Sequence, residues 1–302
     1  LISKIYWKKF VWVISLQRSS LSIQDKPYDS IKFNPFDLHT QPPMHLSVII
    51  ITLNEEKNLP RTLESLRELK QSKLEMEVLV LDSGSTDRTE SIAKESGAKF
   101  AIQNWLGYSK QKNHALTITS GDWLLFLDAD EELSKELSRE IELVVRSSDP
   151  SKAFALKRKT FYLGRLLNYA WYPDVKTRLV NRGSNPEWVG EIVHEDLILK
   201  NSGVSILTLE SPLIHYSYRN INHHFEKTLN YAKLSAEDYS QKNKKFHYWN
   251  LFLNPLLAFI RLYFLRQGFR DGFPGLIAGF STYFYTFLKY ALLKELNSNR
   301  HN

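Results

Sequence analysis

Short apolar runs alternate with helical patterns from residue 46 to residue 128, and this alternation restricts the possible folds more than any other feature of the chain. Apolar residues recur at helical spacing in the stretches between the runs. Strands joined by helices return in the same direction through right-handed crossovers, so the sequence predicts an α/β fold with a mainly parallel sheet and flanking helices. The predicted strands cover residues 46–52, 77–83, 99–102 and 123–128, and the predicted helices cover residues 59–69, 89–96 and 110–119.

Three of these strands end in clusters of polar residues. The clusters are Thr52-Leu53-Asn54-Glu55-Glu56, Asp82-Ser83-Gly84-Ser85-Thr86-Asp87 and Asp128-Ala129-Asp130. Ligands of open α/β sheets bind beyond the carboxyl ends of the strands, so the three clusters are expected to line one crevice. Together they predict a nucleotide-binding site.

The pair Asp128 and Asp130 follows the apolar run WLLFL. Two carboxylates at this spacing on an extended tip point the same way, and their repulsion favours a cation between them. Mg²⁺ or Mn²⁺ suits such a site, because few carboxylates hold the ion while substrate phosphates complete its coordination. The structural alternative is that Asp130 caps a helix through Leu133, Leu137 and Ile141, with Asp128 solvated.

The other two clusters also have structural explanations. Asp82 could accept hydrogen bonds from a base or ribose, with Gly84 allowing the backbone to approach a ligand. An Asx or ST turn in the same segment explains Asp82 equally well. Glu55 and Glu56 lie at the start of a predicted helix, where the helix dipole favours acidic residues. The nucleotide site therefore rests on the combination of the three tips.

Several segments resemble a known family. LSVIIITLNEEKNL, VLVLDSGSTDRT, GYSKQKNHAL and WLLFLDADEEL occur in the order found in family 2 glycosyltransferases, and YPDVKTRLVNR and VGEIVHEDL extend the resemblance. Within that family the chain resembles most the lipopolysaccharide core-type, β-glucosyltransferase-like enzymes. The resemblance implies a GT-A fold, a nucleoside-diphosphate sugar donor and usually a divalent cation.

The resemblance also implies roles for individual residues on the donor side. The positions that match donor-contacting residues are Thr52, Asn54, Glu56, Asp82, Lys112, Asn113 and Asp128. Asp128 and Asp130 match the metal–diphosphate motif, which implies Mg²⁺ or Mn²⁺ there. A lysine and a cation would both neutralise charge on the departing diphosphate. Arg178 is expected on the diphosphate or acceptor side of the site, although such an arginine is also an ordinary packing residue.

An inverting transfer needs a base to remove the proton of the acceptor hydroxyl, and a carboxylate is suited to this role. Glu195 and Asp196 match the acidic motif of the family, and Glu195 is the favoured base with Asp196 as the alternative. His194 is a further candidate for direct involvement in catalysis, and His215 could approach the metal or the acceptor. Trp188 is expected, like Arg178, on the acceptor or diphosphate side. Each of these three also has ordinary structural uses.

The two ends of the chain differ from the family domain, which is expected over residues 46–240. Residues 1–45 contain a short apolar stretch followed by a proline-bearing polar segment, which predicts an appendage and linker. Residues 241–302 are rich in Phe, Tyr and Leu, and residues 242–300 carry a net charge of +7, equal to that of the whole chain. Basic and aromatic residues around apolar helices favour attachment to an anionic membrane surface. A buried helical pair or a dimer interface is the alternative.

The resemblance, together with the basic and aromatic C-terminal region, implies an inverting hexosyltransferase that acts on a lipid-linked saccharide in lipopolysaccharide core or cell-envelope glycan synthesis. The expected location is the cytoplasm, with peripheral attachment to the inner face of the cell membrane. The localised charge argues against a nucleic-acid partner. The chain contains no cysteine, which excludes disulfides and thiolate metal sites. The alternatives are a polyisoprenyl-phosphate glycosyltransferase and a non-catalytic sugar-nucleotide-binding protein.

Overall fold

All four strands predicted before residue 130 are present in the computed structural model, and so are the predicted helices. The structure describes residues 44–72, 74–147, 149–190 and 195–299. Residues 1–43 of the predicted appendage lie outside the described residues, as does His194.

The helices and strands have the following bounds. The helices are α1 (Leu59–Ser65), α2 (Arg67–Gln71), α3 (Thr89–Glu95), α4 (Tyr108–Thr117), α5 (Lys135–Ser147), α6 (Ile221–Gln241), α7 (Tyr248–Ile260) and α8 (Gly272–Asn299). The strands are β1 (His45–Thr52), β2 (Glu75–Asp82), β3 (Lys99–Ile102), β4 (Trp123–Asp128), β5 (Glu131–Leu133), β6 (Lys152–Tyr162), β7 (Arg165–Leu166), β8 (Asp174–Asn181), β9 (Pro186–Val189), β10 (Asp196–Leu199) and β11 (Ser205–His215).

One mixed sheet organises the molecule. Within the described residues it has nine strands, in the order β3-β2-β1-β4-β8-β6-β11-β5, with β7 beside β6. The first four strands are mutually parallel. β8 runs antiparallel to both β4 and β6, β11 runs parallel to β6, and β5 runs antiparallel to β11. The predicted α/β class is confirmed, and the strands after residue 130 give the second half of the sheet its mixed directions.

The strands β1 and β4 lie in the middle of the parallel half and are buried on both faces. Ile50 and Leu125 belong to one side of the core, and Ile49 and Phe126 belong to the other. Successive side chains of a strand point to opposite faces, so both faces need apolar residues when helices cover each of them. This explains why these strands read as continuous apolar runs. Each such buried side chain stabilises the fold by roughly 1.5–3 kcal/mol.

The C-terminal region is helical, and its α8 lies against α6. Leu262 and Ala278 of this region pack with Tyr162 and Leu167 of the sheet domain. α7 also lies against α8, and Gly279 permits a close approach because a Cβ there would be 2.9 Å from Cε2 of Phe259. A π-helical turn (Arg261–Leu265) and a 3-10 turn (Gly268–Asp271) connect the two helices. Within the described residues, every helix is too short or too polar to cross a bilayer.

Asp271 fastens the helical region to the sheet domain. Its carboxylate is buried and accepts hydrogen bonds from the backbone amides of Asn168, Tyr169 and Ala170 at 2.8, 3.0 and 2.8 Å. Removing the carboxylate would leave three N–H groups without their acceptor. We expect Asp271→Ala to lower the free energy of unfolding by about 3 kcal/mol or more, as measured by urea denaturation.

A matched control for this prediction is Glu64→Ala. Glu64 forms an exposed ion pair with Arg67 at 3.3 Å. Exposed pairs contribute about 1 kcal/mol or less, so this variant should unfold close to the wild type. Equal losses in the two variants would show that Asp271 does not fasten the two regions together.

Candidate active site

The three polar clusters lie at one edge of the sheet. Thr52 pairs with Asp82 across β1 and β2, and Ile51 pairs with Asp128 across β1 and β4. The parallel register therefore brings the three strand tips side by side. The adjacency of the three clusters is thus a consequence of strand order and strand direction.

Three cations surround the carboxylate of Asp128. The two terminal nitrogens of Arg178 donate to it at 2.6 and 3.4 Å, and Nζ of Lys112 and a terminal nitrogen of Arg158 lie 3.5 and 3.6 Å from it. Burial by itself would raise the pKa of Asp128. The charges of Arg178, Lys112 and Arg158 outweigh burial and hold this pKa well below its usual value. Asp128 is therefore ionised at neutral pH and held by its neighbours, unlike a solvated loop carboxylate.

Glu131 holds the two arginines behind Asp128. It is fully buried, and its Oε1 accepts from Arg178 at 3.0 Å and from Arg158 at 3.2 Å. Its Oε2 accepts from the backbone N–H of Asp128 at 2.8 Å, and Nε of Arg158 donates to Asp174 at 2.8 Å. Sequence reasoning missed Glu131 and Arg158. The cations that Glu131 binds come from β6 and β8, far along the chain, so local sequence gives no signal for this network.

Asp130 has a different partner. Its Oδ1 lies 3.4 Å from Nε2 of His215, the last residue of β11, and its backbone oxygen accepts from the amide of Tyr216 at 2.9 Å. Burial raises the pKa of Asp130, but the charge and hydrogen bond of His215 more than offset burial, so this pKa is lowered. A carboxylate and an imidazole are ligands that Mn²⁺ accepts. In the described part of the chain, no three or more acidic or histidine side chains are grouped so as to hold a metal ion by themselves.

The helix-cap alternative for Asp130 does not apply. The strand β5 separates Asp130 from α5, which begins at Lys135. Oγ of Ser134 accepts from the amide of Leu137 at 3.2 Å, so Ser134 provides the cap. Asp130 is thus free of this structural role.

Lys112 connects Asp128 to the predicted base. Its buried ammonium lies 2.6 Å from Oε1 of Glu195 and 4.3 Å from the ring centre of Trp188. Oε2 of Glu195 is buried and has no hydrogen-bond partner within the described residues. Asp196 begins β10, and its carboxylate accepts from the amide of Leu197 at 3.0 Å. Of the two predicted bases, Glu195 is the one in contact with the cluster around Asp128.

Asn113 positions Trp188. Its amide nitrogen donates to the backbone oxygen of Trp188 at 2.8 Å, and its amide oxygen accepts from the backbone N–H of Trp188 at 2.8 Å. Both ends of the Asn113 side chain are therefore engaged. The donor contact that the resemblance implies for Asn113 stays a prediction.

Asp82 shapes the turn that follows it. Oδ1 accepts from the hydroxyls of Thr52 and Ser85 at 2.8 and 2.6 Å, and Oδ2 accepts from the amides of Gly84 and Ser85 at 2.8 and 2.6 Å. These four bonds use the acceptor capacity of an ionised carboxylate. Gly84 has a φ of +98°, which a larger residue would adopt only with strain. The turn explanation describes this geometry, and a nucleoside contact by Asp82 stays a prediction.

The first tip contacts the loop after β2. The side-chain oxygen of Asn54 accepts from the amide of Thr86 at 2.9 Å, and Oε2 of Glu56 accepts from the amide of Arg88 at 3.3 Å. Asn54 has a φ of +56° and is exposed. The predicted donor residues Asn54 and Glu56 therefore fix the relative positions of two tips.

Tyr108 and Tyr231 also belong to this region, and sequence reasoning missed both. Burial raises the pKa of each phenol, and the carboxylates of Asp128, Asp130 and Glu195 raise it further. Their side chains remain about half exposed, at 50% and 44%. The two phenols are therefore influenced by the charge of these carboxylates and remain accessible to solvent.

The chain is similar in sequence to several known proteins. Residues 47–149 match the model of Glycosyl transferase family 2. An uncharacterized glycosyltransferase of Rickettsia typhi is 33% identical over 266 residues, which cover 85% of this chain and 89% of that protein. The lipopolysaccharide core biosynthesis glycosyltransferase LpsC of Rhizobium meliloti is 29% identical over 264 residues, which cover 84% and 93% of the two chains.

A solved structure supports the architecture. The mannosyltransferase PcManGT of Pyrobaculum calidifontis, crystallised with GDP-Man and Mn²⁺, superposes with a TM-score of 0.50 over 98% of this chain and 93% of that chain. The two sequences are 14% identical, so the likeness concerns the fold.

Proposed function

Since the chain belongs to glycosyl transferase family 2 and is a glycosyltransferase with a GT-A-like fold, we propose that it transfers one sugar from a nucleoside-diphosphate sugar to a lipid-linked saccharide, with inversion at the anomeric carbon. The observation that carries this proposal is the arrangement around Asp128. Cations lie at the strand tips where a donor diphosphate would bind, and Glu195 lies on the other side of Lys112.

The chain's cations would stabilise the leaving group. As the bond between the anomeric carbon and the diphosphate oxygen breaks, negative charge collects on the diphosphate. Lys112 is near enough to Asp128 and Glu195 to exchange one of these partners for a phosphate oxygen. We assign Arg178 and Arg158 mainly to holding Asp128 in place, because both also bind the buried Glu131. Thr52, Asn54, Glu56 and Asp82 would form the nucleoside side of the crevice, and Asn113 would keep Trp188 beneath Lys112.

Glu195 would act as the base. The acceptor hydroxyl loses its proton to Oε2 of Glu195 while its oxygen bonds to the anomeric carbon from the side opposite the diphosphate. Oε2 suits this role because it has no partner among the described residues, whereas Oε1 is held by Lys112. Asp196 is the alternative base. An acceptor that is already ionised, such as a polyisoprenyl phosphate, would need this proton transfer less.

Asp128 and Asp130 form the proposed metal–diphosphate pair, and His215 beside Asp130 adds a nitrogen ligand. Mg²⁺ or Mn²⁺ held there supplies positive charge to the departing diphosphate. The two carboxylates fit these ions, which prefer oxygen ligands.

Metal removal provides a test of this assignment. We expect transfer to fall to the background rate after treatment with a chelator and to return when Mn²⁺ or Mg²⁺ is added, because the two acids alone add negative charge beside the diphosphate. Mn²⁺ binding measured by electron paramagnetic resonance should be lost in Asp130→Ala. Full transfer in the chelated protein would contradict the assignment. Unchanged Mn²⁺ binding by Asp130→Ala would show that the ion binds at another site.

We also propose which acceptor the protein uses and where in the cell it acts. The similarity to LpsC, a lipopolysaccharide core biosynthesis enzyme, supports an acceptor saccharide carried on a lipid. We therefore propose work in lipopolysaccharide core or cell-envelope glycan synthesis at the inner face of the cell membrane, with peripheral attachment through residues 241–302. The cationic and apolar character of these residues supports such attachment.

A donor screen tests the proposed reaction. The purified full chain is incubated with each of a panel of nucleoside-diphosphate sugars, with and without a lipid-linked saccharide, and the release of nucleoside diphosphate is measured. We expect one donor to give release that rises strongly when acceptor is added. Donor binding without any release would favour a non-catalytic sugar-nucleotide-binding protein.

A further inference from the structure

The C-terminal helices carry an exposed apolar face. Of the twenty exposed large apolar side chains among the described residues, eleven lie between Tyr248 and Phe284. Five of them lie on α7. Tyr248 is its first residue, and the other four follow the i, i+3, i+4, i+7 spacing of one helix side and are Trp249, Phe252, Leu253 and Leu256. Exposed patches of this kind mark sites of interaction with proteins or membranes.

The face continues from α7 onto α8. The rings of Phe259 and Phe280 lie 5.2 Å apart and join the two helices. The connecting turns add exposed side chains, of which Leu265 is the most exposed at 74%, equal to Trp249 on α7. The remaining members are Phe264, Phe269, Phe273, Phe280 and Phe284. Two helices and the turns between them therefore present apolar side chains to solvent.

Cations accompany this face. Arg261, Arg266 and Arg270 lie in or beside the connecting turns and are exposed. Residues 242–299 contain two carboxylates, Asp271 and Glu295, and Asp271 is buried against backbone amides. The face thus combines apolar rings with positive charge.

We propose that this face rests in the headgroup–acyl boundary of an anionic bilayer, with its apolar side chains among the upper acyl segments and the three arginines at the lipid phosphates. A lipid surface offers both of the required chemistries, apolar chains and fixed negative charge. A second copy of the chain would offer the same excess of cations, so it is the poorer complement. This inference gives the proposed membrane attachment a defined set of residues, and its test is independent of sugar transfer.

Asp271 connects the proposed lipid-binding face to the candidate active site. Because Asp271 binds the amides of residues 168–170, the helical region is fastened to the loop that precedes β8. β8 carries Arg178, which holds Asp128. Lipid contact would therefore keep the crevice at a fixed position relative to the surface that carries the acceptor.

Vesicle binding tests this proposal. The full chain is sedimented with vesicles of phosphatidylcholine alone or of phosphatidylcholine with phosphatidylglycerol. We expect binding to the anionic vesicles, weakened by salt. The triple variant Trp249→Ser, Phe252→Ser and Leu265→Ser should bind at least about tenfold more weakly, because exposed apolar side chains supply the insertion.

Two further variants sharpen the result. Arg261→Gln with Arg266→Gln should reduce the preference for anionic over neutral vesicles. Ile102→Ser replaces an exposed residue of β3, 63% accessible, and should bind vesicles like the wild type.

Wild-type protein that stays in solution, or a triple variant that binds fully, would overturn the proposal. A dimer in solution that the triple variant abolishes, without vesicle binding, would assign the face to a second copy. Donor hydrolysis by the triple variant should be unchanged, which separates failure here from failure of the proposed activity.

Discussion

Replacing Asp130 with alanine is expected to lower the rate of sugar transfer by about 100- to 1000-fold. Without Asp130 the proposed metal ion would be lost, and with it positive charge that stabilises the departing diphosphate. Asp130 is the member of the proposed metal pair that has His215 beside it and that does not pair with an arginine within the described residues. Asp128→Asn should cause a loss of similar size by weakening the contacts with Arg178 and Lys112. Initial rates of nucleoside-diphosphate release with saturating acceptor provide the measurement.

In these variants a loss of catalysis must be distinguished from a loss of folding stability. Removing Asp128 altogether would leave buried cations without their partner, which destabilises a protein strongly. The asparagine substitution keeps the shape of the side chain and limits this effect. Asp238→Asn, on the surface of α6, removes a carboxylate paired with Lys242 and should transfer sugar at the wild-type rate. If Asp130→Ala and Asp128→Asn both match this control, the proposed site is wrong.

Glu195→Gln is expected to lower kcat by about 100- to 10,000-fold while leaving donor binding almost unchanged, since glutamine cannot accept the proton of the acceptor hydroxyl. The side-chain oxygen of glutamine can still accept a hydrogen bond from Lys112, so the geometry of the pair should survive. Rates are measured with both substrates saturating, and donor binding is measured by calorimetry. A loss in kcat without a loss in donor affinity identifies a group that acts in the chemical step.

The matched variant for Glu195 is Asp196→Asn. Asp196 accepts from the amide of Leu197, and none of its described contacts joins the cluster around Asp128. We expect its kcat to stay within about tenfold of the wild-type value. The reverse pattern, with Asp196→Asn inactive and Glu195→Gln active, would assign the proton transfer to Asp196. Full activity in both would favour an acceptor that is already ionised.

The parallel half of the fold was predictable because its signals are local. The strands between residues 46 and 128 are short apolar runs with helical patterns between them, and the crossover rule fixes their common direction. The same rule places Thr52, Asp82 and Asp128 at one edge before any side-chain contact is known. The later strands of the sheet lack such alternation, because β6, β8 and β11 pair through long-range contacts in a mixed order.

The electrostatic partners of the site were less predictable for a related reason. Arg158 and Arg178 reach Asp128 from β6 and β8, and His215 reaches Asp130 from the end of β11. No fixed spacing in the sequence links these residues to the acidic tip. Glu131 lies only three residues from Asp128, but its role depends on these distant arginines.

Asp82 illustrates a different limit. Its sequence context supports a ligand contact and a local turn equally, and the two roles use the same four acceptor positions. In the structure these positions are filled by Thr52, Gly84 and Ser85. Local composition predicted that the polar residues gather at this edge of the sheet, but it did not show which of them have a structural role and which would bind a ligand.

The structure of the product is the most direct measure of the central proposal, inverting transfer to a lipid-linked saccharide. The full chain would be incubated with Mn²⁺, the active sugar nucleotide and a lipid-linked saccharide extracted from bacterial envelopes, and the lipid fraction analysed by mass spectrometry and nuclear magnetic resonance. We predict the addition of a single sugar whose anomeric configuration is opposite to that in the donor, absent from the Asp130→Ala reaction. A lipid fraction that gains no sugar from a donor the protein binds, or a product with retained configuration, would contradict it.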